Sequence, residues 1–239
     1  MAMHEVPIVG FAADLVCPER CGGCPSLVTS THLFCGRCSA EVHRLAPPEC
    51  PHCGCPAQSS APCPACVATT PPIRSARAWA SYHRAAGTSP VARAIASFKY
   101  LGARRLGRRL ALAMLPRVAH DDVSLVVPVP LHPQRLRSRG FNQSAVLARH
   151  LGRALGRRVA LTSIVRVRDT PSQVALPPRG RATNVASAFA IRDPALVHGR
   201  AVLLVDDVWT SGATARAVAE VLRAAGAAAV DVLTIARVL

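Results

Sequence analysis

The sequence predicts an α/β protein, with a mainly parallel sheet flanked by helices and a cysteine-rich module in front of it. Three observations carry this reading. From Ala78 onward, apolar strand-like runs alternate with helical patterns. All ten cysteines lie before Val67, and eight of them form C-x-x-C pairs. The apolar run Ala201–Val205 ends in two adjacent carboxylates, Asp206 and Asp207, followed by a small, hydroxyl-rich turn and a helical pattern.

Taken in order, residues 1–16 form an N-terminal amphipathic segment, in which Val6–Val16 reads as a short helix. Residues 17–68 are rich in Cys and Pro and poor in long apolar runs. Residues 69–77, with Thr69-Thr70-Pro71-Pro72, read as a linker to an α/β domain over 78–239. Within that domain Ala78–His83 is a short strand. Thr88-Ser89-Pro90 supplies an N-cap and a first-turn proline for a helix reaching Tyr100. A second helix spans about Arg105 to Leu115, and Ser124–Pro130 is a buried strand. Asn142 caps a helix that Gly156 ends. Ala160–Arg166 is a strand, and Thr170–Thr183 a long loop rich in Pro, Gly and Arg, a kind often tied to function. Ala201–Val205 is a strongly apolar strand, Ala213–Ala225 a helix stopped by Gly226, and Ala229–Ala236 the closing strand.

Half the residues are hydrophobic, so the chain can bury a core. No apolar run reaches the roughly 18 residues that span a bilayer. Val6–Val16 lacks a basic flank and a small-residue cleavage site, so a signal peptide is not expected and a cytoplasmic protein is. The net charge is +16, from 29 basic and 13 acidic residues, and Lys99 is the single lysine. That balance favours phosphate-bearing partners, nucleotide or nucleic acid, although an Arg- and Ala-heavy chain also fits a GC-rich genome.

The four pairs are Cys21/Cys24, Cys35/Cys38, Cys50/Cys53 and Cys63/Cys66. With no export signal in front of them, metal binding outweighs disulfides. Two thiolates from one knuckle and two from another complete a tetrahedral zinc shell. The simplest assignment is two Cys₄ zinc sites in sequence order, with interleaved pairing the alternative. Four thiolates leave no place for water, so both sites are structural. Metal binding worth on the order of 10–16 kcal/mol suits a module too small to fold on apolar burial alone. Cys17 and Cys55 fall outside the pairs as spare thiols or alternative ligands, and His32, His43 and His52 are further possible ligands.

The segment Val202–Thr214 has a chemical use for each part. Its strand delivers Asp206 and Asp207 to the carboxyl edge of the sheet, where open α/β folds bind ligands. Thr210, Ser211, Gly212, Ala213 and Thr214 present N–H groups and hydroxyls at a helix N-terminus, a cradle for an anion. The carboxylates suit sugar hydroxyls, and can hold Mg²⁺ through water. A second segment, Val126–Gln143, runs from a strand through Val129-Pro130 into an arginine-dense loop, where Arg135, Arg137 and Arg139 could face a pyrophosphate. Lys99 is a further pyrophosphate candidate.

Val202–Thr214 resembles the phosphoribosyl pyrophosphate motif of type I phosphoribosyltransferases. With V-P-V-P-L-H-x-x-R-x-x-x-R-G-F-N-Q ending at Gln143 and the cysteine pairs, the whole chain resembles the ComF family, a double zinc ribbon joined to a phosphoribosyltransferase domain. Phe98-Lys99-Tyr100, Thr170-Pro171-x-Gln173 and Arg181-x-x-Asn184 before Phe189 also match, while Pro177-Pro178-Arg179-Gly180 is looser than the family pattern. The resemblance implies that Asp206 and Asp207 contact the ribose hydroxyls and that Thr210–Thr214 wraps the 5-phosphate. It also implies a role in DNA uptake during competence, beside a helicase-like partner.

Two functions compete. One is transfer of phosphoribosyl from phosphoribosyl pyrophosphate, with Mg²⁺, to an acceptor the sequence does not name. The other is a non-catalytic module that senses a ribose 5-phosphate ligand while it binds single-stranded DNA or docks a competence helicase. Aromatic residues make up only 4% of the chain, which argues against a dedicated base-stacking platform.

Overall fold

The structure, a computed structural model, describes residues 19–68, 72–82, 89–100, 104–168 and 188–239. The expected Val6–Val16 helix, Cys17, residues 69–71 of the linker, the Thr88 cap and the segment containing Thr170–Thr183, Arg179, Arg181 and Asn184 lie outside the described residues.

The cysteine-rich part holds a two-stranded antiparallel hairpin, β1 (Glu19–Arg20) with β2 (Leu27–Val28), and two five-residue helices, α1 (Gly36–Ala40) and α2 (Pro64–Ala68). The rest alternates strand and helix. In chain order come β3 (Ser75–Tyr82), α3 (Pro90–Tyr100), α4 (Leu106–Met114), β4 (Leu125–Pro128), α5 (Pro133–Arg139) and α6 (Gln143–Leu155). Then follow β5 (Arg158–Val159), β6 (Ile164–Arg166), β7 (Phe189–Ile191), β8 (Ala201–Trp209), α7 (Ala213–Ala224) and β9 (Ala229–Val238).

Five strands form one sheet in the order β3-β9-β8-β4-β5, every neighbouring pair parallel. Strands buried on both faces need continuous apolar runs, and Ala201–Val205 is buried throughout. One face packs on Phe98, Leu110, Met114, Leu147 and Leu151 from α3, α4 and α6. The other packs on Val218 and Leu222 from α7. This is the expected parallel sheet flanked by helices, with the cysteine-rich module in front.

The ribbon covers one edge of that sheet. Arg44 bridges Ala80 antiparallel, Leu45 N–H donates to Trp79 O at 2.9 Å, and Ser81 N–H donates to His43 O at 2.9 Å. A buried edge cannot pair with a stray chain. Glu49, also in the ribbon, is buried and receives both Arg77 Nε at 3.0 Å and Arg117 Nη2 at 2.6 Å.

Several elements differ from expectation. β3 starts at Ser75, so Ser75–Arg77 belong to the sheet and not to a linker. Of the anticipated Ala160–Arg166 strand only Ile164–Arg166 is extended, as β6, which pairs antiparallel with β7, a strand the sequence reading lacked; the main sheet instead takes β5, just before that range. β8 runs on to Trp209, placing both carboxylates inside the strand. The arginine-dense loop is largely helix α5, because His132-Pro133 starts a turn that Gly140, at φ 78°, stops. The Asn142 cap appears as expected, its side chain accepting from Ser144 N–H at 3.0 Å, and Gly156 ends α6 at φ 64°. Among the described residues, no helix is long and apolar enough to cross a membrane.

Candidate functional site

Asp206 and Asp207 lie near the carboxyl end of β8, at the centre of the sheet. Successive strand residues point to opposite faces, so the two acids have different partners. Asp206 Oδ1 accepts from Ser144 Oγ on α6 at 2.9 Å and from the Asp207 N–H at 2.9 Å. Asp207 is buried and pairs with Lys99 Nζ on α3 at 2.5 Å. Desolvation, with the charge of Asp207 second, pushes the Asp206 carboxyl up to about 7; the two hydrogen bonds and Lys99 pull the other way. Burial opposes the Lys99 charge, but the Asp207 and Asp206 carboxylates outweigh it and raise its pKa.

Thr210 to Thr214 follow directly. Gly212 has φ 76°, and a Cβ there would meet the Trp209 ring at 2.3 Å. Only glycine lets this backbone turn over the indole and open α7 at Ala213. Ser211 O accepts from Arg216 Nη1 at 2.7 Å, and Ser211 Oγ accepts from Ala213 N–H at 3.4 Å. Two guanidiniums lie over the Trp209 ring, Arg237 at 5.3 Å and Arg216 at 5.8 Å from its centre.

The second segment meets the first across the β4–β8 pair. Val129 N–H donates to Val205 O at 2.9 Å, and Asn142 Nδ2 donates to Val129 O at 3.0 Å. One asparagine thus caps α6 and pins the Val129-Pro130 turn. Arg135 and Arg139, one helical turn apart on α5, are both half-buried, whereas Arg137 is exposed. Arg139 donates to Gln143 Oε1 at 2.6 Å and lies 5.2 Å from the Tyr100 ring centre.

These parts surround one cavity of about 490 Å³, lined by Lys99, Val129, Pro130, Arg135, Asp206, Asp207, Thr210 and Thr214. The structure therefore brings together most of the expected site residues. Arg139 sits beside the cavity rather than on its wall, and Arg137 faces away. Ser211, Gly212 and Ala213 build the turn from behind. Ser144, Gln143 and Arg166 line the same cavity and were not read from the sequence. Arg166 is buried on β6, 5.6 Å from the Phe189 ring centre. An arginine within an apolar strand was its one sequence signal. A larger hollow of about 1020 Å³ lies between the first cysteine pairs and α3–α4, lined in part by Arg20, Arg93, Tyr100 and Arg104.

The thiols gather in two groups in sequence order, which removes the interleaved pairing. Cys21, Cys24, Cys35 and Cys38 have sulfurs within 4.8 Å of one another, as expected. In the second group Cys50, Cys53, Cys55 and Cys63 meet that condition, so Cys55 stands where Cys66 was expected. Cys66 is nonetheless in side-chain contact with Cys53, Cys63 and Cys50. A tetrahedral ion with Zn–S near 2.3 Å sets sulfurs about 3.8 Å apart. The Cys24–Cys35 and Cys53–Cys63 separations are 3.6 and 3.7 Å, so both donor sets fit zinc. Hydrogen bonds from Ser26 bring Cys24 down to about 6. At Cys50 burial acts upward, but backbone N–H donors of Cys63, Cys53 and His52 bring it to about 6. Both groups thus contain thiols ready to ionise for a metal. His52 instead meets Arg74 O through Nδ1 at 3.2 Å.

Comparison with known proteins gives the same two parts. Residues 12–67 match the double zinc ribbon domain and residues 141–238 match the phosphoribosyl transferase domain. The chain is 33% identical to DNA utilization protein YhgH of Salmonella typhi over 234 residues, 94% of this chain and 100% of that one. It is 29% identical to Competence protein F of Haemophilus influenzae, over 91% of this chain and 90% of that one. A solved structure of the allosteric regulatory enzyme of purine biosynthesis overlaps 54% of this chain and 25% of its own, at 23% identity and a TM-score of 0.37. Identity at that level over the full length of a relative, together with both domain matches, places the chain in the ComF family, in which a double zinc ribbon precedes a phosphoribosyltransferase domain.

Proposed function

We propose that the α/β domain binds phosphoribosyl pyrophosphate with Mg²⁺ and transfers its phosphoribosyl group to an acceptor. The observation that carries this reading is the convergence of Asp206, Asp207, the Thr210–Thr214 turn and Arg135 on one cavity at the carboxyl end of the sheet. Asp206 and Asp207 accept hydrogen bonds from the ribose hydroxyls. The turn and the α7 N-terminus hold the 5-phosphate through N–H groups and hydroxyls. Arg135 and the Val129-Pro130 turn face the pyrophosphate, with Lys99 in reach once it leaves Asp207. The C1–O bond breaks with its electron pair leaving on pyrophosphate, and the acceptor's lone pair forms the new bond to C1. The carboxylates favour the positive charge that develops on the sugar. Mg²⁺, held by the ligand's oxygens and the acid pair, would neutralise the leaving group.

The relatives' names, a DNA utilization protein and a competence protein, support a role in handling DNA; a helicase-like partner and a cytoplasmic location belong to the same proposal. A second reading, a ribose-phosphate-sensing module that binds single-stranded DNA, is favoured by the hollow beside the first ribbon. It combines Arg20, Arg93 and Arg104 with Tyr100, which is 71% exposed and could stack on a base with the ring face that Arg139 does not cover.

Calorimetric titration of zinc-loaded protein with phosphoribosyl pyrophosphate and Mg²⁺, followed by an assay for released pyrophosphate, separates the two. Binding with release that an added base, nucleotide or DNA accelerates supports transfer. Binding without release supports the sensing module, and absence of binding overturns both.

A further inference from the structure

The two cysteine groups share one design, and among their differences one places a thiol in the second group where the first has a hydroxyl. In the first, Cys35 N–H donates to Cys21 Sγ at 3.2 Å; in the second, Cys63 N–H donates to Cys50 Sγ at 3.3 Å. Each first knuckle closes in the same way. Cys21 N–H donates to Ser26 O at 2.8 Å, and Cys50 N–H donates to Cys55 O at 2.9 Å. Cys24 therefore corresponds to Cys53, Cys38 to Cys66, and Ser26 to Cys55. In the first group the Ser26 side chain hydrogen-bonds the Cys24 sulfur. In the second group that place holds a thiol. Cys55 follows Gly54, which at φ 67° is pressed so close to β3 that a Cβ would meet Ala76 O at 2.1 Å. The turn is thus fixed and aims the Cys55 sulfur at Cys53 and Cys63. Cys66, on α2, touches the same two sulfurs.

Five thiols consequently surround a position with room for four ligands. We propose that the second zinc site is a five-thiol site, in which Cys55 and Cys66 compete for the fourth coordination position. Two properties follow that the first site lacks. Loss of Cys66 is tolerated, because Cys55 completes the shell. Zinc also exchanges faster, because an incoming thiolate adjacent to the ion lets one ligand leave before an outside chelator has to displace it unaided.

The test uses the full chain and counts metal. Wild type should hold two zinc ions, one for each thiol group. The expected result is that Cys66→Ala keeps both, Cys38→Ala keeps one, and Cys55→Ala with Cys66→Ala together keep one. The cobalt-loaded Cys66→Ala protein should retain the charge-transfer absorption of two four-thiolate sites. Loss of one metal from Cys66→Ala alone, or retention of both by the double variant, overturns the proposal. Transfer of zinc to a colorimetric chelator provides a measurement that needs no disruptive variant. Wild type should release zinc in a fast and a slow phase, and Cys55→Ala should slow the fast one several-fold. Unchanged release from Cys55→Ala overturns the proposal even where Cys66→Ala does not fold.

Discussion

Lys99 Nζ lies 2.5 Å from Asp207 Oδ2, so a cation carried by α3 holds one of the two carboxylates expected to grip a ribose. Both side chains are largely buried, at 19% and 7% exposure. Removing one member of such a pair leaves a charge with little solvent, at a cost of about 3–5 kcal/mol. Lys99→Met should lower the unfolding free energy by that order in urea titrations at pH 7. Lys99→Met with Asp207→Asn should recover part of the loss, and strictly additive losses would show that the pair is not coupled.

The raised pKa of Asp206, about 7, should make the proposed ribose binding depend on pH. A neutral carboxyl is a poorer acceptor for sugar hydroxyls, so affinity should rise as pH passes from 6 to 8. In the absence of ligand the sign reverses. The folded state holds a proton that the unfolded state releases, so this group's contribution to stability falls as pH climbs from near 3.8 to about 7. Calorimetry with ribose 5-phosphate should show the rise in wild type. Asp206→Asn should keep only the part due to the phosphate's own ionisation near pH 6.

Gly212→Ala should be damaging twice over. It forces a side chain into the left-handed region and drives Cβ into Trp209. A destabilisation of about 1–3 kcal/mol is expected, with ribose-phosphate affinity reduced at least tenfold. Gly36→Ala, where an added Cβ meets nothing within 4 Å, is the control and should be near neutral.

Arg135 and Arg137 share α5 but not a face. Arg135→Ala should weaken phosphoribosyl pyrophosphate by roughly 10- to 100-fold, the worth of a charge-assisted hydrogen bond, and leave ribose 5-phosphate nearly unaffected. Arg137→Ala should change neither. Equal effects of the two variants would remove α5 from the pyrophosphate reading.

Glu49 joins the ribbon to the sheet domain through Arg77 and Arg117. Glu49→Gln leaves two guanidiniums without a counter-charge in a buried place, at a cost of about 3–5 kcal/mol. Thermal unfolding should shift down, while the zinc content should stay unchanged because Glu49 supplies no sulfur.

Sequence by itself determined what local chemistry controls. The apolar run of β8, the Asn142 cap, the Gly156 stop and the first three C-x-x-C knuckles each depend on a few adjacent residues, and each stands where the sequence put it. The acids and the hydroxyl turn were legible for the same reason, since Val202–Thr214 is one continuous segment. Tertiary structure decided whatever joins distant segments. Ser144 meets Asp206 across 62 residues, Lys99 closes on Asp207, and Arg166 reaches the cavity from a strand pair that no local pattern announced. The arginine stretch became a helix, and only its winding separated Arg135 and Arg139 from Arg137. Cys55 stood outside every C-x-x-C spacing, yet the turn that Gly54 makes against β3 carried its sulfur into the second thiol group. Spacing along a chain fixes which groups can meet through a short turn, whereas packing against a sheet fixes which of the others do.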